Sequence, residues 1–270
     1  MSHIGRDARV WLNRLSECRN PLYLGLGVKY DFERRAVLEL ATEQSYESCV
    51  AYLREIEDDF SFISAVREKL SQWTIYKPRH IDFMMTGWPP RLSGSVFFNE
   101  VTIYAMVRAL KPDVMIETGG TPGKSTAFIL RAMERNNKGH LYTIDLPPRM
   151  IEQTVLAERG KFHELMPSGA SSNWVVPEAL RQRHTLLVGK SSDHLPPLLK
   201  QLDHVDIFFH DSDHSYENMT WEFESAWAKI KPQGLLLTDD ALANTSFFDF
   251  CRKENLRLAH VFNLGAARVR

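Results

Sequence analysis

Two short stretches late in the chain place acids and histidines where chemistry could occur. Val205–His210 runs into Asp211-Ser212-Asp213-His214-Ser215-Tyr216-Glu217, and Gly234–Thr238 runs into Asp239-Asp240. Each is an apolar run of strand length that ends in carboxylates. In one parallel sheet the C-terminal strand ends are neighbours, so Asp211, Asp239 and Asp240 converge although they are far apart in sequence. Carboxylates that close repel each other, and either one keeps its proton or a cation binds. Three oxygen ligands with room for water suit an octahedral, Mg²⁺-like ion. A single Asp there reads better as a helix N-cap; three at two adjacent strand ends point to a metal. His214 is placed for proton transfer near neutral pH, with Asp213 as the rival base and a capping or surface imidazole as the plainer alternative.

A second constellation lies earlier, in Glu117-Thr118-Gly119-Gly120-Thr121-Pro122-Gly123-Lys124-Ser125-Thr126. An acid at a strand end, then glycines, then a helix start allows close backbone approach to a ligand. It also offers free N–H groups to a carboxylate or phosphate. Asp145 ends the next strand, Leu141–Asp145, where a carboxylate can accept two hydrogen bonds from a ribose diol. Together these suit a nucleoside-bearing cofactor. The strict GxGxxG of dinucleotide binders is missing. A phosphate-binding GxxxxGK[ST] loop would need glycine at Thr118. The bare alternative is that the glycines only make a turn.

These residues need a scaffold that brings strand ends together. Strand-length runs fall at Val114–Glu117, Leu141–Asp145, Thr185–Val188, Val205–His210 and Leu235–Asp239. Helical stretches fit 98–110, 124–135, 193–202, 216–230 and 245–254. Alternation of this kind means parallel βαβ units with helices on both faces. Leu256–Phe262 and Ala266–Arg270, joined through Asn263-Leu264-Gly265, read as a closing antiparallel hairpin. Before residue 95 the pattern is helical: Ala51, Leu53, Ile56, Phe60, Ile63, Val66 and Leu70 form an apolar stripe. Residues 86–95 read as a connecting loop, which divides the chain into a helical cap (1–95) and an α/β domain (96–270). Residues 146–184 are too long for a bare connection and read as a lid or binding segment. Trp73, Tyr76, Phe83, Trp88 and Trp174 could cap a substrate or simply pack the helices.

Composition narrows the partners. The 270 residues carry 33 Lys+Arg against 34 Asp+Glu, a net charge of -1, with 44% apolar residues. That balance gives no field to hold nucleic acid or an anionic membrane. No apolar run reaches membrane-spanning length, and Met1–Asn20 has no apolar core of a signal peptide, so a cytoplasmic location is expected. Cys18, Cys49 and Cys251 form neither a disulfide framework nor a zinc pattern.

The order Glu117-Thr118-Gly119-Gly120-x-x-Gly123-x-Ser125-Thr126, Tyr142-Thr143-Ile144-Asp145, Gly189-Lys190-Ser191-Ser192-x-x-Leu195-Pro196, His210–Glu217 and Lys231–Asp240 resembles class I S-adenosylmethionine-dependent methyltransferases. More narrowly, it is similar to small-molecule O-methyltransferases of the macrocin and cephalosporin-hydroxylase-like type. The resemblance covers about residues 97–240. It implies a Rossmann-like, doubly wound, seven-stranded sheet, mostly parallel, with an antiparallel terminal hairpin. It implies that Glu117, Gly119, Gly120, Gly123 and Ser125 surround the methionine part of the cofactor. By the same resemblance Asp145 takes the ribose hydroxyls, and Gly189, Ser191 and Ser192 lie by the adenine. Asp211, Asp239 and Asp240 hold a divalent ion, Mg²⁺ by its chemistry, and His214 or Asp213 is the general base. The acceptor would be a small hydroxylated molecule, and the N-terminal helices a possible contact between copies of the chain. Thr121-Pro122 departs from the usual loop and stiffens it. Two rivals stay open: a metal-independent methyltransferase, and a cofactor-binding scaffold for a partner enzyme.

Overall fold

The computed structural model describes residues 21–72, 97–146 and 169–268. Helices α1 (Pro21–Thr42), α2 (Tyr46–Glu57), α3 (Phe60–Ser71) and α4 (Phe98–Leu110) precede the first strand. Then come β1 (Val114–Thr118), α5 (Lys124–Asn136), β2 (His140–Asp145), a 3₁₀ turn (Glu178–Arg183) and β3 (His184–Val188). The chain continues through α6 (Ser191–Gln201), β4 (Val205–His210), α7 (Tyr216–Trp227) and β5 (Ile230–Thr238). It closes with α8 (Ser246–Lys253), β6 (Arg257–Val261) and β7 (Leu264–Arg268).

The strands form one sheet in the order β3-β2-β1-β4-β5-β7-β6. β1 to β5 are parallel, and β7 runs antiparallel to β5 and β6. This is the Rossmann-like, mostly parallel seven-stranded sheet with an antiparallel terminal hairpin expected from the sequence. Its register decides what the strand ends can do. Ile144, Thr118, His210 and Thr238 lie side by side in one row. Asp145, the last residue of β2, and Gly119, Asp211 and Asp239, each one residue past its strand, therefore lie at the same edge. The switch in strand order falls between β1 and β4, where a crevice opens in folds of this kind.

Each face of the sheet is covered. On one side Phe128, Ile129, Met133, Tyr104, Ile56, Val66 and Leu70 pack against Met115, Leu141, Ile207 and Leu235. The other side buries Leu195, Leu198, Phe223, Phe247 and Phe250 against Ile116, Phe208 and Leu236. The apolar stripe of residues 51–70 is two helices, because Asp59 starts a new one. Its carboxylate accepts the Phe62 N–H at 3.3 Å and pairs with Arg131 and Arg135 of α5. The N-terminal helices thus join the core of the α/β layer. Among the described residues no helix is long and apolar enough to cross a membrane.

Two boundaries differ from expectation, and one helix is unusual in composition. β5 begins at Ile230, five residues before Leu235. Pro232 and Gly234 disguise this start, and Gln233 (φ 63°) carries an irregularity opposite Val205–Ile207. α6 holds Pro196 and Pro197 in its interior, where burial of Leu195, Leu198 and Leu199 outweighs the lost backbone bonds. The hairpin turns at Phe262-Asn263, with Phe262 at φ 53°, and Leu264 and Gly265 already belong to β7.

Candidate active site

The glycine loop is built by close approach. Gly119 has φ 76°, and a Cβ there would lie 1.9 Å from the Asp211 carbonyl oxygen. Gly123, at φ 101°, caps α5 directly against Asn173. L-residues with side chains rarely hold such angles, so the loop needs glycine at both places.

Beneath the loop, Glu117 is fully buried. Ser125 donates to its Oε1 at 2.6 Å, and Thr126 and Thr143 donate to its Oε2 at 2.7 and 2.8 Å. Burial pushes its carboxyl up to about 7, opposed by those three hydroxyls. Glu117 and the Ser125 hydroxyl therefore support the loop from below. What Ser125 presents upward is its place in the first turn of α5, whose N–H groups are free of intrahelical partners.

Asp145 stands at the end of β2, almost wholly buried. It accepts the Gly120 N–H at 3.1 Å and the Thr121 hydroxyl at 2.6 Å. Burial raises its pKa, and these hydrogen bonds oppose the rise. Just past the edge strand β3, the Gly189 N–H donates to the Asp145 carbonyl at 2.9 Å. The structure thus brings Asp145, Gly120 and Gly189 together, while Ser192, the second residue of α6, is exposed.

On the far side of the switch point lie the acids. Asp211 is held well above the carboxylate range by burial, then by the charges of Asp239 and Glu117; Lys124 opposes this. Asp239 is pushed to about 6 by burial and by Asp240. Asn99 donates to Asp239 at 3.2 Å, and Asn263 donates to Asp240 at 2.8 Å. His214 reaches between two of the acids, with Nδ1 3.7 Å from Asp240 Oδ2 and Nε2 4.0 Å from Asp211 Oδ1. Burial, then the neighbouring His210, holds its imidazole below the ordinary value, against the pull of Asp240, Asp213 and Glu222. Asp213 is exposed and spent on the turn before α7, accepting from the Ser215 N–H at 3.1 Å and hydroxyl at 3.2 Å. Of the two candidate bases, His214 faces the acids.

The donor set fits a divalent cation in chemistry: hard oxygens, excess negative charge, and buried acceptors at Glu100 Oε2 and Asn99 Oδ1 that have no hydrogen-bond partner. In this conformation no group of three or more His, Cys, Asp or Glu among the described residues is spaced to hold a metal.

Three residues that sequence reasoning passed over shape the site. Lys124 makes a buried ion pair with Glu100 at 2.6 Å and supplies positive charge to the acids. Asn173, buried with φ 59°, packs its side chain on Gly120 and Gly123. Glu222, fully buried in α7, binds side chains from two strand ends. Of the proposed aromatic cap, Trp174 packs on the core; Trp73, Tyr76, Phe83 and Trp88 lie outside the described residues, as does Cys18. Cys49 and Cys251 are free, buried thiols.

Residues 116–241 match a family model described as a methyltransferase domain. No curated protein matches the chain. Among solved structures, the O-methyltransferase NovP is 17% identical with a TM-score of 0.51, covering 78% of this chain and 99% of its own. The SAH-bound methyltransferase PaMTH1 of Podospora anserina is 15% identical with a TM-score of 0.50, covering 76% and 88%. At these identities the likeness is one of fold.

Proposed function

We propose that the chain, whose residues 116–241 match a methyltransferase-domain model, transfers a methyl group from S-adenosylmethionine to a hydroxyl of a small-molecule acceptor. The observation that supports it is the shared row of strand ends. That row sets a glycine loop and Asp145 on one side of the switch point and His214 with the acids on the other. S-adenosylmethionine, when bound, supplies a methyl on a positively charged sulfur, and so needs little chemical help from the protein.

The chain's own residues do the rest. Gly119, Gly120 and Gly123 let the backbone approach the methionine part, while Glu117 and Ser125 hold the loop rigid from beneath. Asp145 takes the ribose hydroxyls with its remaining lone pairs, and Gly189, Ser191 and Ser192 border the adenine. His214 accepts the proton of the acceptor hydroxyl, a step worth about 10²–10⁴ in rate. Its lowered pKa keeps the imidazole neutral and ready at neutral pH. Asp240 and Asp211 flank the ring and stabilise the charge it gains. Holding oxygen, methyl and sulfur in line contributes the remainder.

Asp211, Asp239 and Asp240 would hold a divalent cation, which would offset their repulsion and acidify the acceptor hydroxyl. What supports this is that the three carboxylates follow the paired ends of β4 and β5, with the buried, unpartnered Glu100 Oε2 as a further hard oxygen.

The test has two stages. Calorimetry should show S-adenosylmethionine binding, and labelled methyl should then pass to members of a panel of small hydroxylated compounds. Binding without transfer to any of them favours the scaffold reading, and no binding sinks both.

A further inference from the structure

One buried carboxylate touches both halves of the site. Glu222 sits on the apolar face of α7, fully buried, with Met219, Phe223 and Ala226 beside it. Its Oε2 accepts from the Thr118 hydroxyl and from His210 Nδ1, the latter at 2.6 Å. Its Oε1 accepts from the Ser212 hydroxyl at 2.8 Å and from Asn218 Nδ2 at 3.4 Å. Thr118 is the last residue of β1 and leads into Gly119. His210 is the last residue of β4 and leads into Asp211, and Ser212 belongs to the acidic loop itself.

A buried carboxylate with four donors costs heavily if any is lost, so the arrangement is stiff. It also fixes a tautomer. A carboxylate only accepts, so His210 Nδ1 carries a hydrogen. The ring of His210 is thereby locked, and the ring of His214 stands edge-on against it, with centroids 5.3 Å apart and an 88° angle between planes.

We propose that Glu222 is a positioning residue that couples the cofactor loop to the base: a shift at Thr118-Gly119 is passed through its carboxylate to His210, and from the His210 ring to His214. The inference rests on the reading that S-adenosylmethionine occupies the glycine loop. It goes beyond that reading because Glu222 and His210 are fully buried and neither can touch a ligand.

The experiment uses long-range ¹H–¹⁵N spectra of the imidazoles, with and without S-adenosylhomocysteine, on the whole chain. In the wild type His210 should show one fixed tautomer with hydrogen on Nδ1, and its ring signals should move when S-adenosylhomocysteine binds. In Glu222→Gln the affinity measured by calorimetry should stay within about threefold, because the Gly119–Asp211 backbone contact persists. The movement of the His210 signals should fall to less than about half. Thr118→Val keeps the strand and cuts only the link to β1. It should give the same loss of response while His210 keeps its tautomer, and it decides the matter if Glu222→Gln does not fold. A full His210 response in either folded variant, or no response in the wild type that binds S-adenosylhomocysteine, overturns the coupling. A wild type that does not bind it overturns the function proposed above, and the coupling with it.

Discussion

Gly119 and Asp211 touch through their backbones: a Cβ on Gly119 would lie 1.9 Å from the Asp211 carbonyl oxygen and 2.8 Å from the Ser212 Cα. The glycine loop and the acidic loop therefore pack backbone against backbone. Gly119→Ala must break this contact and also hold a positive φ. Gly169 has nearly the same angle, φ 75°, with nothing within 4 Å of a built Cβ, so Gly169→Ala isolates the cost of the angle, about 1 kcal/mol. Gly119→Ala should cost on the order of 3 kcal/mol or more in urea melts, because backbone cannot yield as a side chain can. It should also abolish S-adenosylhomocysteine binding. Equal costs at the two sites would show that the contact carries no weight.

His214 is the second point of leverage. Replacing it with Asn should lower kcat by about 10²–10⁴ while leaving cofactor affinity nearly intact. Asp213→Asn should change kcat by less than about tenfold, since its carboxylate serves the turn before α7. Burial holds the His214 imidazole low, so the acid limb of the wild-type pH–rate profile should fall below about 6.5, the ordinary histidine value. An acid limb well above neutrality would assign the proton transfer elsewhere.

Much of this arrangement is legible in the sequence, and the reasons are physical. Apolar runs that stop at acids or glycines marked Glu117, Asp145, His210 and Asp239 as strand ends, and the parallel sheet then fixed their common edge. The start of β5 was hidden because Pro232 and Gly234 read as a turn. Glu222 left a usable signal: it falls with Met219, Phe223 and Ala226 on one helical stripe, an acid where an apolar residue belongs. Asn173 left none, since nothing in the run Ser171-Ser172-Asn173 says which residue will turn left-handed and pack on two glycines.

A divalent cation among Asp211, Asp239 and Asp240 has a direct consequence. Excess EDTA should abolish methyl transfer, added Mg²⁺ should restore it, and S-adenosylmethionine affinity should change by less than about threefold. Asp239→Asn and Asp240→Asn should each raise the Mg²⁺ concentration needed, to a similar degree, because an amide, Asn99 or Asn263, already occupies one oxygen of each. Full activity in EDTA would leave His214 with its flanking carboxylates as the whole of the proton machinery.

Glu117 ties the site to the stability of the fold. Its carboxyl is pushed up to about 7 from 4.5, chiefly by burial. A raised pKa means that the folded state binds the proton more tightly than the unfolded chain. The stability from that proton is fully present below about 4.5 and is lost as pH rises through about 7. Two to three pK units correspond to about 3 kcal/mol, an upper figure for one buried group. Glu117→Gln cannot ionise, and its amide still meets the hydroxyls of Ser125, Thr126 and Thr143. Urea melts of both proteins at pH 5 and pH 8 should therefore show the wild type losing ground to the variant as pH rises, by up to about 3 kcal/mol. Other titrating groups cancel in that difference except Asp211 and Asp145, whose charges are coupled to that of Glu117. A difference independent of pH would mean that Glu117 stays ionised throughout, held by its three hydroxyl donors.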